Sequence, residues 1–267
     1  MQRSLIRLCR ILPLWVLYAV MALVVPFYMI FNRRGFHAIY TFMRHRLHHT
    51  PLRSFLLTCC SHFRFGQVVI DRFAAYAGRR FKIINEGHAL FQHLAEGADG
   101  FVILSSHVGC YELAGYSLRS DSKPFNAVVY GGESPTVTAW RNRILGSHNI
   151  RTIAVSPDMS HLFRLNAALD NHEIVSLPAD RLFGSRKYVS RTFLGAQARF
   201  PMGPFVLASS KEVPMVAVFV MKTGMRGYRI VIRPVGGVDR YVEELEAIVR
   251  QYPTQWFNFF DFWSSDN

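Results

Sequence analysis

The stretch FVILSSHVGCYE, running from Phe101 to Glu112, decides the architecture. Phe101 to Ser106 is a short apolar run of the kind that forms a buried strand. His107 follows at the strand's carboxyl end, where open α/β sheets place their sites. Glu112 stands five residues further on. On one continuous helix the two side chains would diverge by about 140°, so the spacing asks for strand, turn and helix. Gly109 permits the turn, and Glu112 in the first helical turn can then point back at the imidazole. A carboxylate on one ring nitrogen fixes the tautomer and raises the basicity of the other. The remaining nitrogen suits removal of a hydroxyl proton. The pair reads as a base with its orienter, although a histidine after a strand also serves as a plain helix cap.

Outward from this stretch, short apolar runs alternate with helical patterns from about residue 80. Strands are expected at Asn126–Tyr130, Ile150–Val155, Glu173–Leu177, Pro214–Val220 and Tyr228–Arg233, with a turn near Thr223-Gly224. Helices are expected at Gly87–Ala95, Glu112–Leu118, Pro135–Leu145, Met159–Asp170, Gly203–Ser210 and Asp239–Gln251. The alternation predicts an α/β fold, a mixed sheet flanked by helices. No internal repeat or long linker divides it.

Ile11 to Phe31 is an uncharged run of 21 residues. As a helix it would extend roughly 31 Å, about the hydrocarbon thickness of a bilayer. It is too long for a cleaved leader, and no small-residue cleavage site follows. We expect an N-terminal membrane-anchoring helix within residues 1–34, spanning or monotopic, followed by one domain over 35–267. Its part from 35 to 80 is expected to be helical and membrane-proximal. From Arg33 to Lys82 there are ten basic residues and one acidic, Asp71. That bias places the domain on the cytoplasmic side of the membrane.

The formal net charge is +13 and half of the residues are hydrophobic. Such a chain attracts anionic partners: a lipid surface, a phosphorylated glycolipid or an acidic carrier protein. Nucleic acid is disfavoured, since the basic residues adjoin the apolar run and no nucleic-acid motif is present. The four cysteines follow neither a disulfide nor a zinc spacing,. His45 and His49 are four apart but have no third ligand, so no metal is expected.

The chain resembles the late acyltransferases of lipid A biosynthesis, within the lysophospholipid acyltransferase-like superfamily with its HxxxxE motif. The resemblance runs through the anchor, His107 and Glu112, and Tyr130 to Pro135. It continues through Leu177-Pro-Ala-Asp180-Arg181 with Phe183-Gly184, Phe193-Leu-Gly195, Phe200-Pro-Met-Gly203 and Pro253-Thr-Gln255-Trp256. It implies a glycerolipid acyltransferase-like fold in the inner membrane of a Gram-negative bacterium. The implied reaction moves a fatty acyl chain from the thioester of acyl carrier protein to a hydroxyl of a lipid A precursor. No cofactor and no covalent acyl-enzyme are implied. His107 would be the base and Glu112 its partner. A different acceptor, such as an amino-acid-containing lipid or a lysophospholipid, is the nearest alternative, and a non-catalytic glycolipid-binding scaffold is a more distant one.

Two departures from the family's pattern bear on the acceptor. One is the terminal motif, which usually ends in aromatic and basic residues but here reads Phe259-Phe260-Asp261-Phe262-Trp263. In the other, Gly131 stands where many relatives carry arginine, which Arg141 or Arg143 could replace. Met202 and Phe205 stand where glycerol-phosphate acyltransferases have glutamate and arginine, which argues against simple phosphatidic acid synthesis. Asp180 and Arg181 are expected to contact substrate, and Gly203 to bring a backbone N–H to the thioester oxyanion. Arg186, Lys187, Arg191 and Arg199 lie in a stretch read as loop and suited to phosphate. The aromatic tail from Trp256 to Trp263 could line an acyl groove, seat at the interface or simply pack on the core.

Overall fold

The strand β2, Phe101–Gly109, is buried along almost its whole length and carries the rest of the domain on both sides. The computed structural model describes residues 2–118, 120, 122–129, 146, 149–156, 158–182 and 187–264. Among these, β1 is Lys82–Glu86, β3 Phe125–Val129, β4 Ile150–Ala154, β5 Ile174–Pro178, β8 Met215–Lys222 and β9 Gly227–Val235. With β2 they form a seven-stranded sheet in the order β1-β9-β8-β2-β5-β3-β4. From β8 to β4 all neighbours are parallel, while β9 runs antiparallel to β8 and takes β1 parallel to itself. The continuous apolar runs in β2 and β8 are what a parallel sheet covered on both faces requires.

Alternation along the strands divides the core into two layers. On one face Val102, Leu104 and Val108 meet helix α9, Val238–Gln251. Its buried stripe is Tyr241, Val242, Leu245, Ile248 and Val249, the spacing of one helical face,. On the other face Phe101 and Ile103 meet helix α5, His88–Glu96, and helix α4, Pro51–Tyr76. Helix α8, Gly203–Ser210, and helix α7, Ser160–Asp170, complete the first layer. Helix α6, Ala114–Ser117, lies in the second.

Three strands were not foreseen. β1 reads Lys-Ile-Ile-Asn-Glu and is a partly exposed edge, too short and polar to stand out. Tyr188–Phe193 and Ala196–Pro201 form an antiparallel hairpin, β6 and β7, so the stretch read as loop is a sheet. Val189 and Phe193 alternate with Ser190 and Thr192, but Arg191 between them breaks the apolar face that would have marked the strand. Leu194 and Gly195 both take positive φ, as a tight hairpin turn demands,.

Towards the N-terminus, α1 (Gln2–Ile11), α2 (Leu14–Phe31) and α3 (Arg33–Thr41) precede a π-helical turn, Phe42–Arg46, and then α4. Asn32 and Thr50 cap α3 and α4 by accepting from the backbone N–H groups of Gly35 and Arg53,. Among the described helices, α2 is long and apolar enough to cross a membrane. It packs antiparallel to α4, with Met21 against Gly66 and Tyr28 near His62. Its outer side, including Leu23, Val24, Phe27 and Phe31, remains exposed.

A buried charge network joins these helices to the sheet. Lys222 Nζ donates to Asp71 Oδ2 at 2.5 Å, to the Tyr18 hydroxyl at 3.0 Å and to the Met225 carbonyl at 3.1 Å. The Tyr228 hydroxyl donates to Asp71 Oδ2 at 2.5 Å, and that of Tyr18 to Oδ1. Both charged side chains are shut off from water. Removing one member of such a pair costs about 3–5 kcal/mol, because the other charge stays buried. Asp71→Ala in the full chain should lower unfolding stability in detergent micelles by that order. The double change Asp71→Leu with Lys222→Met should cost clearly less.

Candidate active site

Parallel register brings the first functional pair together. Ser105 of β2 lies opposite Pro178 of β5, and the Ala179 N–H donates to the Ser105 carbonyl at 2.9 Å. Two residues beyond that level on each strand stand His107 and Asp180. Asp180 Oδ2 accepts the His107 backbone N–H at 2.8 Å, and Oδ1 lies 2.8 Å from His107 Nδ1. The Asp180 side chain is fully buried. Burial pushes its carboxyl up, but the attraction of His107, the bonds from its ring and backbone, and Arg181 outweigh this and hold it below the ordinary value,. An ionised carboxylate only accepts, so Nδ1 carries the proton and Nε2 has the lone pair.

Glu112 is elsewhere. Its Oε1 accepts from Arg72 of α4 at 3.0 Å, so it does not orient His107. The reason lies in the turn. β2 continues as strand through Gly109, whose φ of +63° starts a 3₁₀ turn at Tyr111–Leu113. That turn aims Glu112 at α4 rather than back along the strand. A side chain at Gly109 would collide with the Val220 carbonyl oxygen. The Tyr111 ring instead meets the His107 ring edge-on, with centroids 5.7 Å apart. Cys110 is buried, and its thiol is pushed well above the ordinary value by burial and then by Glu112. That environment suppresses the thiolate a nucleophile needs.

His107 and Glu112 share the wall of one pocket of about 200 Å³. The period of two along the strands builds it. Ile103, Ser105 and His107 of β2 point the same way as Ser176 and Pro178 of β5, and as Phe125, Ala127 and Val129 of β3. Leu118, Ile150 and Val218 close a largely apolar interior. The site therefore offers a base at the mouth of a greasy cavity.

The remaining expectations divide. Arg181 donates to Asn258 Oδ1 at 2.7 Å and to the Phe257 carbonyl at 2.6 Å, so it holds the C-terminal tail in place. Gly203 is exposed at the start of α8 and is not part of the pocket wall. The β6–β7 hairpin directly precedes that helix in the chain, and none of its residues lines the pocket. Arg191 pairs with Asp239 of α9, and Arg199 lies over the Tyr188 ring. Tyr130, Gly131, Pro135, Arg141, Arg143, Phe183, Gly184 and Arg186 lie outside the described residues, as does the whole of the helix expected over 135–145. Trp256, Phe257 and Phe262 of the tail pack into the core. Among the described residues no group of side chains suits a metal. Arg72 was missed, since nothing in its helix marks it apart from other basic residues.

Residues 70–265 match the model of the family described as bacterial lipid A biosynthesis acyltransferase. No curated protein sequence matches the chain significantly.

Asp180→Asn keeps the shape but lets the amide donate to Nδ1, which favours the wrong tautomer. It should lower kcat by about 10²–10⁴-fold, with the chain still folded. Because the Asp180 carboxyl is held below its ordinary 3.8, its stabilisation is present above that pH and is lost as pH falls through the depressed value,. Asp180→Asn removes this contribution. Unfolding measured at a series of pH values should therefore give the variant a flatter stability–pH curve than the wild type below about pH 4.

Proposed function

We propose a specific reaction for this chain, which belongs to the bacterial lipid A biosynthesis acyltransferase family: transfer of a fatty acyl group from the thioester of acyl carrier protein to a hydroxyl of a lipid A precursor. The observation that carries it is the His107–Asp180 pair at the mouth of the apolar pocket. His107 Nε2 takes the proton as the acceptor oxygen attacks the thioester carbonyl carbon. The tetrahedral intermediate then collapses with rupture of the carbon–sulfur bond. The imidazolium returns its proton to the departing thiolate, so an ester and a free carrier thiol result. Asp180 keeps the proton on Nδ1 and steadies the imidazolium while it exists.

The pocket suits the acyl chain. An extended hydrocarbon gains by leaving water for such surroundings at about 25 cal/mol per Å², and the carboxyl end of that chain would lie at His107. Glu112 lines the same pocket and is held there by Arg72. The exposed apolar side of α2 supports a membrane anchor, and the basic stretch after it supports a cytoplasm-facing domain in the inner membrane,. The high positive charge suits an acidic carrier protein and a phosphorylated acceptor,.

His107→Ala should reduce acyl transfer in purified membranes by at least about 10³-fold; wild-type rates in that variant would sink the mechanism. Mass spectrometry of lipid extracts from a deletion strain should show lipid A lighter by one acyl chain. Unchanged lipid A with another lipid missing would move the reaction to a different acceptor. Ala114→Phe, which fills the pocket from α6, should shift the transferred chain towards shorter lengths.

A further inference from the structure

A second cavity, of about 540 Å³, lies between α3 with its π-helical extension and the C-terminal tail. One wall presents Arg34, His37 and Arg46, and the other is built from Trp256, Asn258 and the aromatic residues up to Trp263. The Arg46 guanidinium lies 4.7 Å from the Trp263 ring centroid, which fixes it without neutralising it,. Among the described residues neither Arg34 nor Arg46 has a carboxylate partner. Asp261 is the acid on the wall, and its Oδ1 accepts the Trp263 backbone N–H at 3.1 Å. Trp256 and Asn258 of this wall each also hold a buried donor behind it: among the described residues Trp256 Nε1 and Asn258 Nδ2 have no acceptor. Unspent buried donors beside two arginines are what an anion-binding site looks like before its ligand arrives.

Its place in the chain narrows the ligand. Arg34 sits in the first turn of α3, three residues after the apolar helix α2 ends at Phe31, at the level of lipid headgroups,. Asn258 connects the cavity to the reaction centre, since it accepts from Arg181, the neighbour of Asp180. The Phe257 N–H donates to the His107 carbonyl at 3.1 Å, so the tail forms a thin partition between the two. We propose that this cavity seats a phosphate of the lipid that is acylated, holding its headgroup at the membrane surface while its hydroxyl reaches His107. This rests on the acyl-transfer reading above.

The test uses the full chain in detergent micelles without donor. Four probes are titrated: the phosphorylated lipid A precursor, the same lipid after phosphatase treatment, phosphatidylglycerol and inorganic phosphate. For Arg34→Gln with Arg46→Gln, Kd for the phosphorylated precursor should rise about tenfold or more. Kd for the dephosphorylated lipid should not move, and Arg34→Lys with Arg46→Lys should recover part of the loss. In the transfer assay the glutamine pair should raise KM for the acceptor with kcat nearly unchanged. Equal losses on both forms of the precursor would overturn the assignment. So would phosphatidylglycerol or inorganic phosphate binding as tightly as the precursor. Transfer at wild-type KM in the glutamine pair overturns this site and leaves the reaction standing. Phosphate-dependent binding with no transfer by the wild type overturns the reaction and leaves the site.

Discussion

The Asp71 carboxylate and the Lys222 ammonium meet where water does not reach, and five segments converge on them. Tyr18 comes from the apolar helix, Asp71 from α4, Lys222 from β8 and Tyr228 from β9. Gln255 of the tail brackets the same Lys222 through its backbone, accepting from the N–H and donating to the carbonyl, each at 2.8 Å. Burial pushes the Asp71 carboxyl up and the Lys222 ammonium down. Each charge is tolerated because the other faces it, with every ammonium proton given an acceptor. Such a pair tolerates little displacement, so it fixes the angle at which the apolar helix meets the domain.

That constraint reaches the candidate site along α4. The residue after Asp71 is Arg72, which holds Glu112 at the pocket mouth. On the opposite side, the tail held by Gln255 runs through Trp256 and Phe257, which pair with Val108 and His107 of β2. His107 is thus held by its own strand, by Asp180 just beyond the neighbouring strand and by the tail. A general base that removes a proton from a weakly acidic hydroxyl gains from being held still, because any drift of Nε2 weakens the transfer. The aromatic tail packs on the core and holds the His107 backbone through Phe257.

The two cavities share this partition. One is apolar and runs beneath the parallel strands; the other is basic and aromatic and opens beside α3. The proposed acyl donor and phosphorylated acceptor would differ in the same way, one hydrocarbon and the other charged. A sheet whose side chains alternate in direction, closed by one short tail, is enough to keep the two environments apart.

Much was legible from the sequence. Continuous apolar runs marked β2 and β8, because a strand buried on both faces has little room for polar residues, and shorter apolar clusters marked β3, β4, β5 and β9,. The apolar helix, the amphipathic α9 and the strand-end position of His107 followed from composition and period alone. The polar edge strand and the β6–β7 hairpin did not, since their alternation is masked by arginines. The sequence by itself singled out His107 as the candidate base. Its partner was decided by tertiary structure. Glu112 is five residues away along the chain, but a glycine turn sends it to α4. Asp180 is seventy-three residues away, yet parallel register sets it beside the imidazole. Proximity along the chain is overruled wherever strand pairing fixes direction and distance to within a hydrogen bond.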